Sequence, residues 1–540
     1  MHRRQFLTLS SARKAPAPAA GRTPTGIAPY TGSWGIQQLI HLLKRTMFGA
    51  APENVNAFKS MNMQQIVDTL LTPQSDPQPP VNNYGTDSTG VAPGATWVRA
   101  VLGDKQTERD RIESYKSWWT GQMINQQASI HEKMVLFWHN HFVTETGMVN
   151  DSRFIYQYNL TLRQHALGNF KALTKAVTLD PAMLVYLNGY LNSKGAADEN
   201  YARELHELFT VGKGPDSHYT EDDVRATARV LTGFRVDVNN IVSTFNTTQH
   251  DLGNKEFSSF YSNKVISGKT GPEGATEVDD LLNIIFGQPE VAKFICRKLY
   301  RFFVYYDIDQ ATEANVIAPL ADVFRNSGFD IKTTLRTLFT SEHFFDPLNM
   351  ACLIKSPADF CIGMCREYGV KFPTDFTTQY QRWSDIRTRM ALMLQNIGDP
   401  PLVAGWDAYY QEPSFHELWI NTDTLPKRNR LSDTLISDTG FNGLNIDAIA
   451  FADKLPNPSD PVALVNDSLD ILYRVGVSDN LKNALKTNIL LSGQSSDYYW
   501  TNAWNNYKGS PGNAVYRDDV KVRLQSLFRY IMDLSEYQLS

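Results

Sequence analysis

From Trp34 onward, apolar side chains recur three and four positions apart, and sustained two-residue alternation is scarce. That period places one apolar stripe along a helix and gives strands no face to bury, so a mainly α fold follows. Residues 221–232 show the rule in full. Thr220 is suited to cap, and Glu221, Asp222 and Asp223 stand where the helix dipole favours anions. Val224, Ala228 and Leu231 then share one face, and Gly233 stops the helix. After Pro289, a residue suited to a first turn, Val291, Phe294, Ile295 and Leu299 make a core stripe, and Val520, Leu524, Leu527, Phe528 and Ile531 repeat it.

Three stretches break this regime: residues 72–97, 237–275 and 493–516, rich in Pro, Gly, Asn, Ser and Thr. Loops this long in a compact protein are usually functional covers or insertions. They divide the chain into a disordered tail (1–30), an N-terminal helical lobe (31–236), a polar cover loop (237–275) and a C-terminal helical lobe (276–540). With 540 residues, 42% of them hydrophobic, the chain can bury a large core, as a single-core or two-lobed multi-helix globular protein.

Composition also excludes. The formal net charge is -5 and no basic stripe stands out, which argues against nucleic acid as a partner. No window approaches the apolar length of a transmembrane segment. Cys296, Cys352, Cys361 and Cys365 fit neither a disulfide framework nor a zinc site, and Cys361 and Cys365, four apart, read as small buried hydrophobes. Arg3-Arg4-Gln5-Phe6-Leu7 looks like the start of a twin-arginine export signal, yet Thr8 to Lys14 stands where its apolar segment belongs. Exported and cytoplasmic locations both stay open.

Chemistry concentrates in two strings. The first is Phe137-Trp138-His139-Asn140-His141-Phe142. Residues two apart on a continuous helix project about 200° from each other, so His139 and His141 reach one centre only if the helix ends there. The run Val143 to Gly147 supports such an ending. Neutral imidazoles at a helix end suit Zn, Fe, Mn or Cu. The plainer reading has one histidine bonded to a buried acceptor and the other facing solvent.

The second string runs from Asp198 to Glu207. Glu199, Arg203 and Glu207 follow i, i+4, i+8 spacing, while Asn200, Glu204 and Glu207 lie on an overlapping face. Glu204 and Glu207 suit oxygen ligation or general acid–base work, or else the helix is salt-bridged at the surface. His250-Asp251, with Lys255 and Glu256, sits in the polar loop, either folding over a site or forming a turn capped by Asp251. Trp118-Trp119, Trp138 and Trp406 to Tyr410 either line a pocket with His416 at its rim or are core. A phosphate-binding P-loop is absent, because Asn263 replaces the first glycine before Gly268-Lys269-Thr270. No nucleophile elbow appears either.

Read together, His41 to Ala50, Glu132 to Phe142, Glu199 to Gly212 and Tyr219 to Arg225 resemble the bacterial family DUF1800. Leu231-Thr232-Gly233-Phe234, His250-Asp251 with Lys255, Ile354-Lys355-Ser356-Pro357, Pro400 to Trp406 and Ser535 to Leu539 complete the set. The resemblance covers about residues 34 to 540. It implies a large helical bacterial protein, often with a twin-arginine leader and often encoded beside a second uncharacterised family, DUF1501. The missing apolar segment near Arg3-Arg4 departs from that pattern, and His206 falls where an apolar residue is commoner.

The leading expectation is one site between helix 131–142, helix 199–212 and loop 245–257. His139, His141, Glu204 and His250 would hold a divalent transition metal, with Glu207 or Asp251 as ligand or general base. Arg203 would orient an acid or an anionic substrate. Hydrolysis and redox chemistry both suit that mixed donor set. One alternative is a non-catalytic envelope or assembly protein acting with a DUF1501-type partner, its polar residues forming a buried packing network. Another is a carbohydrate-binding protein using the aromatic segments.

Overall fold

Capping chemistry sets the helices where the sequence indicates. The Thr220 hydroxyl accepts from the Asp223 amide, the Asp223 carboxylate accepts from the Thr220 amide, and the helix runs Glu221–Val230. Pro289–Phe303 and Ala514–Asp533 form where their apolar stripes predict. The computed structural model describes residues 24–412 and 414–540, so the Arg3-Arg4 string lies outside the described residues. With 57% helix and 5% strand, the fold is mainly α.

The strand content lies largely in the stretch expected to be a cover loop. Phe234–Asp237 pairs antiparallel with Val242–Phe245, and Lys255–Glu256 with Val265–Ile266. The first turn is built by the Asp237 carboxylate, which accepts the Asn239 and Asn240 amides at 3.0 Å, while Ile241 takes a left-handed φ of 57°. Strands of four and two residues are too short to leave a readable alternation.

One contiguous core runs from Leu39 to Tyr537, with a small satellite of Ala202, Val224 and Ala228. Helix Ile36–Thr46 is buried from Leu39 on and sits among residues far along the chain. His41 Nε2 lies 3.1 Å from the Phe344 carbonyl, Lys44 pairs with Glu367, and Arg474 donates to the Gln37 side chain at 3.0 Å. All of helix His131–His141 is buried, and it runs antiparallel to Pro289–Phe303. Lys133 lies 5.8 Å from the Phe302 ring, Phe137 packs on Phe302 at 5.2 Å, and His141 reaches Phe294 at 6.3 Å. Among the described residues, no helix is long and apolar enough to cross a membrane.

Candidate functional site

Helix His131–His141 ends at His141, as the following residues imply, but its two histidines go to different neighbours. The His139 ring sits edge-on to Trp119 at 5.1 Å and 6.5 Å from Trp406, with no hydrogen-bond partner on Nδ1. Burial pushes its pKa down to about 4, against the pull of Asp399. His141 Nε2 donates to the Phe209 carbonyl at 3.0 Å, which leaves Nδ1 to accept from Lys298 Nζ at 3.1 Å. Burial, reinforced by Lys298, holds this imidazole neutral. Both nitrogens are therefore engaged by protein groups.

The acidic string is less regular than its spacing suggests. Asn200–Glu204 is α-helical, but Leu205–Thr210 is a π-helix, sealed by the bond from the Val211 amide to the His206 carbonyl. Arg203 makes a bidentate contact with Glu221 at 2.7 Å and also pairs with Glu199, at the surface. Glu207 pairs with Lys213. Glu204 is half-buried, and burial with the nearby Glu207 charge raises its pKa. His206 proves the most fully bonded residue of the string. Its Nδ1 meets the Tyr261 hydroxyl at 2.7 Å and its Nε2 the Thr227 hydroxyl at 2.8 Å.

The segment from His250 to Lys255 is anchored rather than free to close over a ligand. Asp251 is gripped by Arg229 through two 3.0 Å bonds. Burial opposes its ionisation, but Arg229 and the Gly253 amide outweigh that and keep its pKa low. His250 Nδ1 lies 2.9 Å from the Thr232 carbonyl, and its Nε2 is 3.1 Å from Glu277. Lys255 pairs with Glu277 at 2.6 Å, both side chains fully buried.

The expected metal centre therefore does not assemble. Among the described residues no three His, Cys, Asp or Glu side chains are grouped to hold a metal ion. His139, His141, Glu204 and His250 each lie in separate surroundings, where His141 and His250 bond to protein groups and His139 packs among aromatic rings. Glu207, Asp251 and Arg203 are ion-paired instead of facing a common centre. Trp118, Trp119, Trp138 and Trp406 are core residues. The Pro400 to Trp406 segment is seated by Asn140, whose side-chain oxygen accepts the Trp406 amide at 2.8 Å. Gly405, at φ 101°, lies where any Cβ would strike Asn140.

A different convergence lies at the other end of the same helix. Lys44 and Arg45 from helix Ile36–Thr46, Lys133 from His131–His141 and Arg301 from Pro289–Phe303 line one narrow cavity of about 30 Å³. That volume is the room of roughly two waters or one small oxyanion. Ser356, Tyr306, Tyr409 and His416 add hydroxyls and an imidazole, Asp359 puts a carboxylate on the wall, and Ser540, the last residue of the sequence, lines it too. Two of the cations are compensated: Lys44 by Glu367 and Lys133 by Asp359. Arg45, 3% exposed, donates through Nη2 to the Asn349 carbonyl, while its Nε and Nη1 have no acceptor among the described residues. Arg301 donates to the Tyr306 carbonyl at 3.3 Å and lies over the Phe415 ring.

More positive charge stands behind the wall. Arg428 Nη2 donates to the Lys355 carbonyl at 2.9 Å, and the Lys355 ammonium lies 3.9 Å over the Tyr537 ring. Burial and the neighbouring Lys44 push Lys355 down to about 7, and burial lowers Arg428 to about 10. These cations form no basic run in the sequence, since they come from separate apolar segments. The available signal was charge inside strings such as Leu42-Leu43-Lys44-Arg45 and Lys133-Met134-Val135-Leu136.

A family model described as a protein of unknown function, DUF1800, matches residues 41–539. No curated protein and no solved structure matches the chain.

Proposed function

We infer a function from a premise that names no reaction: the chain belongs to the DUF1800 family, whose function is unknown. The protein binds a small anionic ligand, or the anionic group of a larger one, in the cleft of Lys44, Arg45, Lys133 and Arg301. The observation that carries this reading is Arg45. A guanidinium almost wholly removed from water, with two nitrogens lacking acceptors, costs several kcal/mol unless an anion completes it. Four of the strings on which the family resemblance rests, those containing Lys44, Lys133, Ser356 and Tyr537, meet in or against this cleft. The histidine and glutamate constellations have a second role in this proposal, as buried networks that fix how the helices and hairpins pack.

Thermal unfolding of the full chain in chloride, against added phosphate, sulfate, nitrate and acetate, tests the binding. At a hundredfold excess over Kd an occupant stabilises by about 2.7 kcal/mol, a shift of a few degrees. The shift should vanish in Arg45→Met and persist in Arg203→Met, whose site is elsewhere. No shift with any anion would remove the basis of the proposal.

A further inference from the structure

We propose that the cleft selects a tetrahedral oxyanion carrying two negative charges, the group presented by a phosphate monoester or by sulfate. The inference rests on the anion-binding reading above and adds the class of ligand. It comes from which cations are left over. Lys44 and Lys133 are matched one to one by Glu367 and Asp359, whereas among the described residues neither Arg45 nor Arg301 has a carboxylate at ion-pair distance. Two guanidinium groups outside those ion pairs share one small cavity, whose wall also carries Asp359 and the last residue Ser540, and an anion of higher charge gains more there than a monoanion.

Shape points the same way. A planar carboxylate is completed by one guanidinium in a single plane, two parallel bonds on one edge. Here the donors arrive from three helices, with the tyrosine hydroxyls from further segments, while the Ser356 hydroxyl is already given to Asp359 at 2.8 Å. Four oxygens disposed in three dimensions can meet such a set, and the cavity holds about one such group. Tyr306, Phe302 and Trp419 also line the cavity, apolar surface against which the organic part of an ester would rest. Burial and Arg297 disfavour the charge on Arg301, while Glu412, Glu313 and Asp307 favour it from a distance. An anion in the cavity would relieve the burial of both arginines at once.

Calorimetric titration of the full chain, exchanged by dialysis into a buffer with chloride as its sole other anion, distinguishes the outcomes. Phosphate at pH 7.5, sulfate, nitrate and acetate are the probes, with circular dichroism confirming that each variant is folded. The expected result is at least tenfold tighter binding of phosphate or sulfate than of nitrate or acetate, lost in both Arg45→Met and Arg301→Met. Binding of phosphate but not sulfate assigns the ligand to the phosphoryl class, and the reverse to sulfate. Acetate or nitrate binding as tightly as the tetrahedral ions, still dependent on Arg45, would overturn the class and leave the anion site standing. Phosphate affinity unchanged in folded Arg45→Met, or no binding of any probe, would overturn both. Should Arg45→Met fail to fold, Arg301→Met and Tyr306→Phe carry the same comparison.

Discussion

A lysine buried beside other cations is a proton switch for whatever occupies the neighbouring cavity. Lys355 is pushed to about 7 by burial and Lys44, with Glu367 and Asp359 pulling the other way and Arg428 adding to the depression. An incoming anion favours the charged amine, so binding near neutral pH takes up a proton. The sign is fixed: with folded pKa near 7, charge is present below that pH and absent above it. Affinity for sulfate, which does not itself titrate there, should fall as pH rises through 7, by up to about tenfold per unit. Titrations in two buffers of different ionisation enthalpy would reveal the proton, and Lys355→Met should flatten the profile. A flat profile in the parent protein would show that Lys355 stays charged throughout.

At the scale of elements, the two ion-paired regions nominated by the sequence differ in depth. Lys255 and Glu277 tie the second hairpin to helix Glu277–Ile285 with both side chains at 0% exposure. Glu277→Gln strands a buried ammonium and should cost on the order of 3–5 kcal/mol in urea unfolding. Arg203→Ala, at a part-exposed network, should cost under about 1 kcal/mol. Equal losses would mean that water reaches the buried pair. Helix starts at Thr220 and Pro289 were legible because capping and the apolar stripe agree within a few residues. The π-turn from Leu205 was not, since its extra residue is absorbed by packing of His206 between Tyr261 and Thr227, contacts that lie 55 and 21 residues away. The same limit hid the site. Residue type singled out His139 and His141, but one packs among aromatic rings and the other bonds to Phe209 and Lys298, and the cations that do converge stand alone in their own segments.

For the whole molecule, one core continuous from Leu39 to Tyr537 implies one cooperative unit. Calorimetry of the full chain should show a single unfolding transition, without separate steps for the halves on either side of the hairpins. Residues 276–540 expressed alone would leave Glu367 buried without Lys44 and lose helix Ile36–Thr46 from their interior. That fragment should lack a sharp thermal melt by circular dichroism. A fragment melting as sharply as the parent would show that the C-terminal half is self-sufficient.

Order of synthesis acquires meaning from a cavity walled by distant segments. Lys44, Arg45 and Lys133 leave the ribosome hundreds of residues before Arg428 and Tyr537, the groups that stand behind the same wall. Through most of translation those early cations belong to helices whose eventual neighbours do not yet exist, so they must remain hydrated. Helix Ile36–Thr46 can be enclosed only late, and newly made chains should depend on chaperones for longer than their helical content alone would suggest.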